Sequence, residues 1–375
     1  MNRTGVGRHE FGRATDGRGP VATGRVREAS HVLAEGVEEF IFADVFSRSS
    51  LGAREREMAT VAVLAAIGGA DNQLAVHVPA ALRCGADPDE LVALCEQIAP
   101  YAGFPRALNA LRAVRAVLEE QGLPLPLPAE RVDMGDHETL VTDVPGEGEP
   151  LVLVHSLAGD RRMWRDVVRA LPPGRRVVAY DLRGHGQAAL APPPADVWAL
   201  AAALRRLLDG LGIARARVAG ISLGGCVAQC LALEDPARVS GLALVATFGR
   251  APSEICRRRA GQADTALASL ARWMTPQALA EDGWAARYLR DRLLRVAPHD
   301  WAGAWNALAT HDVAGRLGEI GAPVRVVVGA ADPVTPPADS EALAAGLPSA
   351  ELVVVPGGPH MLPLEMPGKV ARLIA

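Results

Sequence analysis

The sequence predicts two domains, an all-α half followed by an α/β half built on a mostly parallel sheet. Three observations carry this. The chain has 375 residues, more than one ordinary domain holds. Residues 25–122 place apolar side chains at helical spacing and show no strand-like alternation. After Val132 the texture changes to short apolar runs separated by helical stretches, the pattern of a sheet covered on both faces.

In chain order, residues 1–28 are Gly- and Arg-rich and lack an apolar core segment, so they are expected to be a disordered N-terminal extension. They read as neither a signal peptide nor a membrane anchor. In the helical part, 29–122, Leu91, Leu94, Cys95 and Ile98 fall at i, i+3, i+4 and i+7, and Leu108, Leu111, Val114 and Leu118 follow a similar spacing. Met58–Ile67 is apolar nearly all round, which predicts a helix buried on every side; a domain this small manages that by packing on another subunit. Asp87 before Pro88 is a helix start, and Gly122 before Pro124 a helix stop. The Pro-alternating run at 123–132 is expected to be a semi-rigid linker. Residues 133–375 form the α/β domain, with strands at 140–144, 151–154, 177–180, 218–220, 242–245, 324–328 and 352–355. A helical lid is expected at about 249–312, where four of the six tryptophans lie, among them Trp273, Trp284, Trp301 and Trp305.

Composition narrows the class. Hydrophobic residues make up 49% and the formal net charge is −4, so no basic surface argues for nucleic acid. The longest nearly apolar run, Ala59–Ile67, is far short of a membrane span. Five cysteines without a Cys-x-x-Cys suit a reducing cytoplasm. A cytoplasmic enzyme with no metal or cofactor and a small-molecule substrate is expected, with no nucleic-acid or membrane partner.

The chemistry centres on Gly220-Ile221-Ser222-Leu223-Gly224. An apolar run precedes it and a helical pattern follows, so Ser222 sits on a sharp strand-to-helix turn that lifts its hydroxyl clear of the backbone. The helix N-terminus behind it favours developing negative charge. Two more strands end in titratable residues, Val324–Val328 before Asp332 and Leu352–Val355 before His360. Alone, Asp332 reads as a loop cap and His360 as a turn histidine. Together with Ser222, each at a strand's carboxyl end, they read as nucleophile, orienting carboxylate and general base. His185, in Asp181-Leu182-Arg183-Gly184-His185-Gly186, is read as structural.

With its order Ser222, Asp332, His360, the second half resembles the α/β hydrolases. The resemblance implies an oxyanion hole from the N–H groups of Leu157, in the loop after 151–154, and Leu223. The segments Ser156–Trp164, Tyr180–Gly186, Gly220–Gly225, Arg272–Pro276 and Gly329–Pro337 look like 3-oxoadipate enol-lactonase. Its acidic substrate implies cationic contacts, for which Arg161 and Arg162 are candidates, with Trp164 as a further substrate-binding candidate.

The helical half resembles the carboxymuconolactone decarboxylase family through Leu51–Glu57, Ala62–Gly68, His77–Leu82 and Tyr101–Ala110. The resemblance implies an all-helical domain that assembles as a homo-oligomer, with His77, Glu57 and Arg56 as decarboxylase candidates. Ala70 and Gln73 stand where the family's peroxidases carry Cys-x-x-Cys, which removes thiol peroxidase chemistry. Ala43–Ser49 departs from the decarboxylases' Gly-Glu-Ile-Trp-x-Arg-Pro. Two readings stand. One is a bifunctional 4-carboxymuconolactone decarboxylase and 3-oxoadipate enol-lactone hydrolase of aromatic (protocatechuate) degradation. The other is a serine hydrolase of another lactone or ester that carries a non-catalytic helical oligomerisation domain.

Overall fold

A computed structural model describes residues 2–15, 17–47, 50–189 and 191–375. Arg48 and Ser49, part of the stretch compared with the decarboxylases, lie outside the described residues, as do Met1 and Asp16 of the N-terminal stretch. The chain divides into two compact units, Met1–Pro126 and Leu127–Ala375.

The first unit is all helical: α1 (Arg3–Thr15), α2 (Arg18–Ala29), α3 (His31–Glu35), a π-helical stretch Gly36–Phe46, then α4 (Ala53–Ile67), α5 (Asp71–Arg83), α6 (Pro88–Ala102) and α7 (Phe104–Glu120). The expected disorder of 1–28 is corrected here, because its described residues form α1 and α2. Tertiary contacts supply the order that local propensity lacks. Phe11 stacks on Phe42 with ring centroids 4.0 Å apart. The buried Glu38 carboxylate accepts from Thr23 Oγ1 at 2.9 Å, Arg8 Nε at 3.1 Å and Arg27 Nη2 at 2.6 Å. No run of residues in 1–28 advertises this, since the acceptor lies in the next segment.

Val61, Leu74, Val78, Leu91, Val114 and Leu118 form the centre of this unit's core, each contributing roughly 1.5–3 kcal/mol by burial. Helix α6 starts as expected: Asp87 accepts from the N–H of Asp89, and Glu90 from that of Asp87, both at 2.9 Å. Helix α4 buries Val61 and Ala65 within this chain, while Val63 and Ile67 are 56% and 62% exposed, on the face that the sequence reading gives to another subunit. Leu108 is exposed as well.

The linker expected at 123–132 is also corrected. Leu123 and Leu125 are partly buried and pack on the helical core, so the start of this segment belongs to the first unit. The far end is strand β1 (Glu130–Asp133), antiparallel to β2 (Glu138–Val144). This strand is polar and exposed, so it carries no apolar signal. What marks it is the turn beyond, where Gly135 adopts φ 84° and Asp133 Oδ1 accepts its N–H at 2.7 Å.

The second unit holds one eight-stranded sheet in the order β1-β2-β4-β3-β5-β6-β7-β8. Its other strands are β3 (Leu151–Val154), β4 (Val177–Tyr180), β5 (Ala216–Ile221), β6 (Val239–Val245), β7 (Val324–Gly329) and β8 (Ala350–Val355). Strand β2 meets β4 antiparallel, and from β4 to β8 every pairing is parallel. Parallel strands need crossovers, and these are the helices α8 (Arg165–Ala170), α9 (Val197–Gly210), α10 (Leu223–Glu234) and, after β7, α16 (Pro337–Gly346). Strands β3 and β4 are buried throughout, as expected where both faces are covered.

Between β6 and β7 lie α11 (Ser253–Ala260), α12 (Leu270–Trp273), α13 (Pro276–Glu281), α14 (Trp284–Arg295) and α15 (Pro298–Ala309). The base of this helical insertion, the segment expected to be a lid, is stapled. Ala251 N–H donates to His311 O and Val313 N–H to Gly249 O, both at 2.8 Å, and Arg250 pairs with Asp312 at 2.8 Å. Trp301 is buried and donates to Arg259 O at 2.7 Å, so it serves lid packing. Two short helices, α17 (Leu362–Glu365) and α18 (Pro367–Ile374), close the chain. All five cysteines are free thiols, and four of them are buried. Among the described residues no helix is long and apolar enough to cross a membrane.

Candidate active site

Ser222 stands between β5 and α10 with φ 53° and ψ −116°, a conformation a non-glycine residue holds only when its surroundings enforce it. Its N–H donates to Val245 O at 2.9 Å, and its carbonyl accepts from Thr247 Oγ1 at 2.8 Å. Glycine is required on both sides. A Cβ at Gly220 would lie 2.2 Å from Gly224 O, and one at Gly224 would lie 2.2 Å from Val154 O. Both obstacles are backbone and cannot swing away.

The loop after β3 passes beside this elbow. Among the described residues, neither the Leu157 N–H nor the Leu223 N–H donates to an acceptor, although both residues are buried. Buried N–H groups without partners are uncommon, and groups of this kind suit a developing negative charge. His155 anchors the loop. Its Nδ1–H donates to Ser156 O at 2.7 Å, and its Nε2 accepts from Leu182 N–H at 2.8 Å. Burial pushes its pKa down to about 4, so the ring is neutral and structural. His185 is likewise pushed down, to about 3, by burial and by His155, and its Nδ1 meets Arg183 O at 3.1 Å.

His360 and Asp332 come together from the ends of β8 and β7. His360 Nδ1 lies 2.8 Å from Asp332 Oδ2, with both side chains buried. The other oxygen, Asp332 Oδ1, accepts from the N–H groups of Val334 at 2.7 Å and Thr335 at 3.0 Å, and Thr335 Oγ1 donates to Oδ2 at 2.7 Å. Burial would raise this carboxyl, but the His360 imidazole and the Thr335 donors outweigh it and hold the pKa below the ordinary value. The next residue, Met361, reaches the oxyanion loop: its sulfur is 3.9 Å from Ser156 Oγ. The lid residue Trp273 lies beside the imidazole, ring centroids 6.3 Å apart. Ser222 Oγ and His360 Nε2 form no hydrogen bond with each other among the described residues. Such bonds commonly tighten only when substrate arrives.

The three substrate-binding candidates fare differently from expectation. Trp164 is fully buried in the core and offers no surface to a ligand. Arg161 pairs with Asp181 at 3.2 Å, and Arg162 with Asp160 at 2.6 Å. Each guanidinium already neutralises a buried carboxylate, so neither is a free cation. The acidic substrate implied by the resemblance suggested them as cationic contacts, but Asp160 caps the turn Arg161–Trp164 and takes Arg162 as its own partner. Sequence reasoning also passed over Thr335, whose signal is the Asx turn at Asp332-Pro333-Val334, and over the lid residues Tyr288 and Arg292, which nothing local marks.

In the helical unit, His77 Nδ1 lies 2.8 Å from Glu57 Oε2, with Glu57 buried and His77 about a quarter exposed. Arg56 donates to Val45 O and Leu51 O, both at 3.2 Å, and its guanidinium sits 4.4 Å over the Phe46 ring. Asp44, at the family's acid stretch, pairs with Arg3. A cavity beside these groups is lined by Glu10, Arg13, Phe46, Arg56, Glu57 and Cys84. Among the described residues, no three His, Cys, Asp or Glu side chains are grouped to hold a metal.

Comparison with known proteins agrees with this anatomy. The family described as alpha/beta hydrolase fold matches residues 149–276 and 262–367, and the carboxymuconolactone decarboxylase family matches 32–116. A 3-oxoadipate enol-lactonase of Acinetobacter baylyi is 30% identical over 224 residues, 58% of this chain and 84% of that protein. The acetyltransferase component of an acetoin cleaving system from Pseudomonas putida is 32% identical over 251 residues, 64% of this chain; the chain spans only 66% of that relative's length. Among solved structures, the enol-lactonase of Burkholderia xenovorans aligns with a TM-score of 0.62 at 27% identity, covering 65% of this chain and 97% of that one.

Proposed function

The chain belongs to the alpha/beta hydrolase family, and on that premise we propose that its second unit opens an enol-lactone by acyl transfer to Ser222. The observation that carries this is the Asp332–His360 pair, 2.8 Å apart at the ends of β7 and β8, in the same parallel sheet whose β5 ends in the strained Ser222 elbow. Ser222 Oγ attacks the lactone carbonyl while His360 Nε2 takes its proton. The carbonyl oxygen becomes the oxyanion received by the N–H groups of Leu157 and Leu223. When the ring bond breaks, His360 returns the proton to the leaving enol oxygen. Water, deprotonated by the same imidazole, then cleaves the acyl-enzyme, and the enol tautomerises to a 3-oxo diacid.

In the same reading the first unit supplies that lactone by decarboxylating 4-carboxymuconolactone, a step of protocatechuate degradation. Loss of carbon dioxide leaves a carbanion that needs a proton, and in this reading the His77–Glu57 pair, 2.8 Å apart, delivers it. The test is to incubate the purified chain with 4-carboxymuconolactone and, separately, with the enol-lactone. Both should be consumed. His77→Ala should abolish carbon dioxide release and leave lactone opening within about twofold. Release that survives in His77→Ala contradicts the assignment.

The second reading, a hydrolase of another lactone or ester with a non-catalytic helical unit, is favoured by one observation. Arg56 and Asp44 are engaged with Val45, Leu51 and Arg3 rather than free for substrate. Its signature is ester hydrolysis without any decarboxylation. Either way, the helical unit is proposed to assemble with copies of itself. Val63, Ile67, Tyr101, Phe104 and Leu108 are all more than half exposed, more large apolar surface than a small domain leaves in water. Sedimentation should give a mass well above 39.3 kDa; a monomer at micromolar concentration contradicts this.

A further inference from the structure

We propose that Tyr288 and Arg292 of lid helix α14 are positioning residues that hold the Leu157 N–H on its target, so that the docked lid is a fixed part of the oxyanion site; this rests on the acyl-transfer reading above. The loop that carries Leu157 is strained, with Ala158 at φ 59°. Strain of this kind persists only where the chain is held on both sides. On the near side, His155 accepts from Leu182 N–H at 2.8 Å and Gly159 N–H donates to Ser156 O at 3.0 Å.

On the far side, the hold comes from the lid. The backbone N–H of Asp160 donates to Tyr288 Oη at 2.9 Å, and that hydroxyl lies 3.1 Å from Asp160 Oδ1, to which it donates. Arg292 Nη1 binds Asp160 Oδ2 at 3.0 Å, alongside Arg162 Nη2 at 2.6 Å. The Asp160 carboxylate is fully buried; burial opposes its charge, but the two guanidiniums prevail and keep it ionised.

A stack of four side chains backs this pin. The Arg165 guanidinium lies 3.5 Å over Trp284, and Trp284 stacks on Tyr288 with centroids 5.0 Å apart and planes at 12°. Arg162 covers the other ring at 5.5 Å. Each layer alternates between the segment after the oxyanion loop and helix α14, or joins two rings of α14. Replacing a buried ion pair of this kind by apolar residues is often neutral for stability, so stability alone does not account for it. Its place, three residues from an oxyanion donor, accounts for it as a setting for backbone geometry.

The experiment uses the full chain with p-nitrophenyl acetate as substrate and a trifluoromethyl ketone as the tetrahedral probe. Tyr288→Phe keeps the stack and removes only the hydroxyl. Its kcat is expected to fall at least about tenfold, towards the 10²–10³ seen when an oxyanion donor is lost. KM should stay within about twofold, and the ketone's Ki should weaken by the same factor as kcat. Arg292→Met should act in the same direction and Arg292→Lys should recover most of the loss; this pair carries the test if Tyr288→Phe does not fold. Unchanged kcat and Ki in the variants, or a rise in KM alone, overturns the proposal while leaving the acyl-transfer reading in place. A wild-type chain inert to both ester and ketone overturns that reading, and the proposal with it.

Discussion

Ser222→Ala is expected to lower kcat for lactone or ester opening by about 10⁴–10⁶-fold, the scale on which serine hydrolases lose rate when the nucleophile is removed. A small residual rate should remain, because the Leu157 and Leu223 N–H groups still bind the developing oxyanion. The fold should be little changed, with stability within about 1 kcal/mol of the parent. The Ser222 hydroxyl makes no hydrogen bond among the described residues, so its loss strands no partner. The strained backbone at φ 53° is the same for alanine as for serine. Assay and thermal melting on one preparation check both halves. A variant that keeps a tenth of its activity would show that this serine is not the nucleophile.

The second large effect is expected for Asp332→Asn, about a 10⁴-fold fall in kcat with little change in KM. The carboxylate accepts from His360 Nδ1 and so leaves Nε2 free to take the serine proton. An amide presents an N–H as readily as an oxygen and allows the wrong tautomer. The pH dependence of stability has a definite sign. The folded-state pKa of Asp332 is depressed, so its ionised form stabilises the fold above the unfolded value near about 3.9. That contribution disappears as pH falls through the depressed folded value. Melting temperatures of parent and variant should therefore differ most near neutrality and converge in acid. Curves that stay parallel down to about pH 2 would contradict the role given to this carboxylate.

Much of the α/β unit was legible because its signals are local and apolar. Strands β3 and β4 stand in the structure with the bounds the sequence implies, Leu151–Val154 and Val177–Tyr180, since each is a run of buried residues bordered by turns. Asp332 and His360 were legible only jointly with Ser222, each at a strand's carboxyl end and in the order that α/β hydrolases share. What escaped the sequence depends on partners distant in the chain. Strand β1 is polar at three of four positions and is fixed by pairing with β2. Helices α1 and α2 are ordered around Glu38 and Phe42, which lie outside them. Trp164 was a substrate-binding candidate because a tryptophan just after the β3 loop can face either way, and only packing decides that it faces the core. Arg161 and Arg162 looked free because their buried partners, Asp181 and Asp160, had no local sign of burial.

The measurement that bears most directly on the central claim is rapid-quench mass spectrometry of the full chain during turnover of the enol-lactone or an activated ester. The account predicts a transient adduct of the acyl group's mass on the peptide carrying Ser222, formed and lost at rates consistent with kcat, and absent from Ser222→Ala. Full turnover with no adduct, or an adduct on another residue, would contradict it.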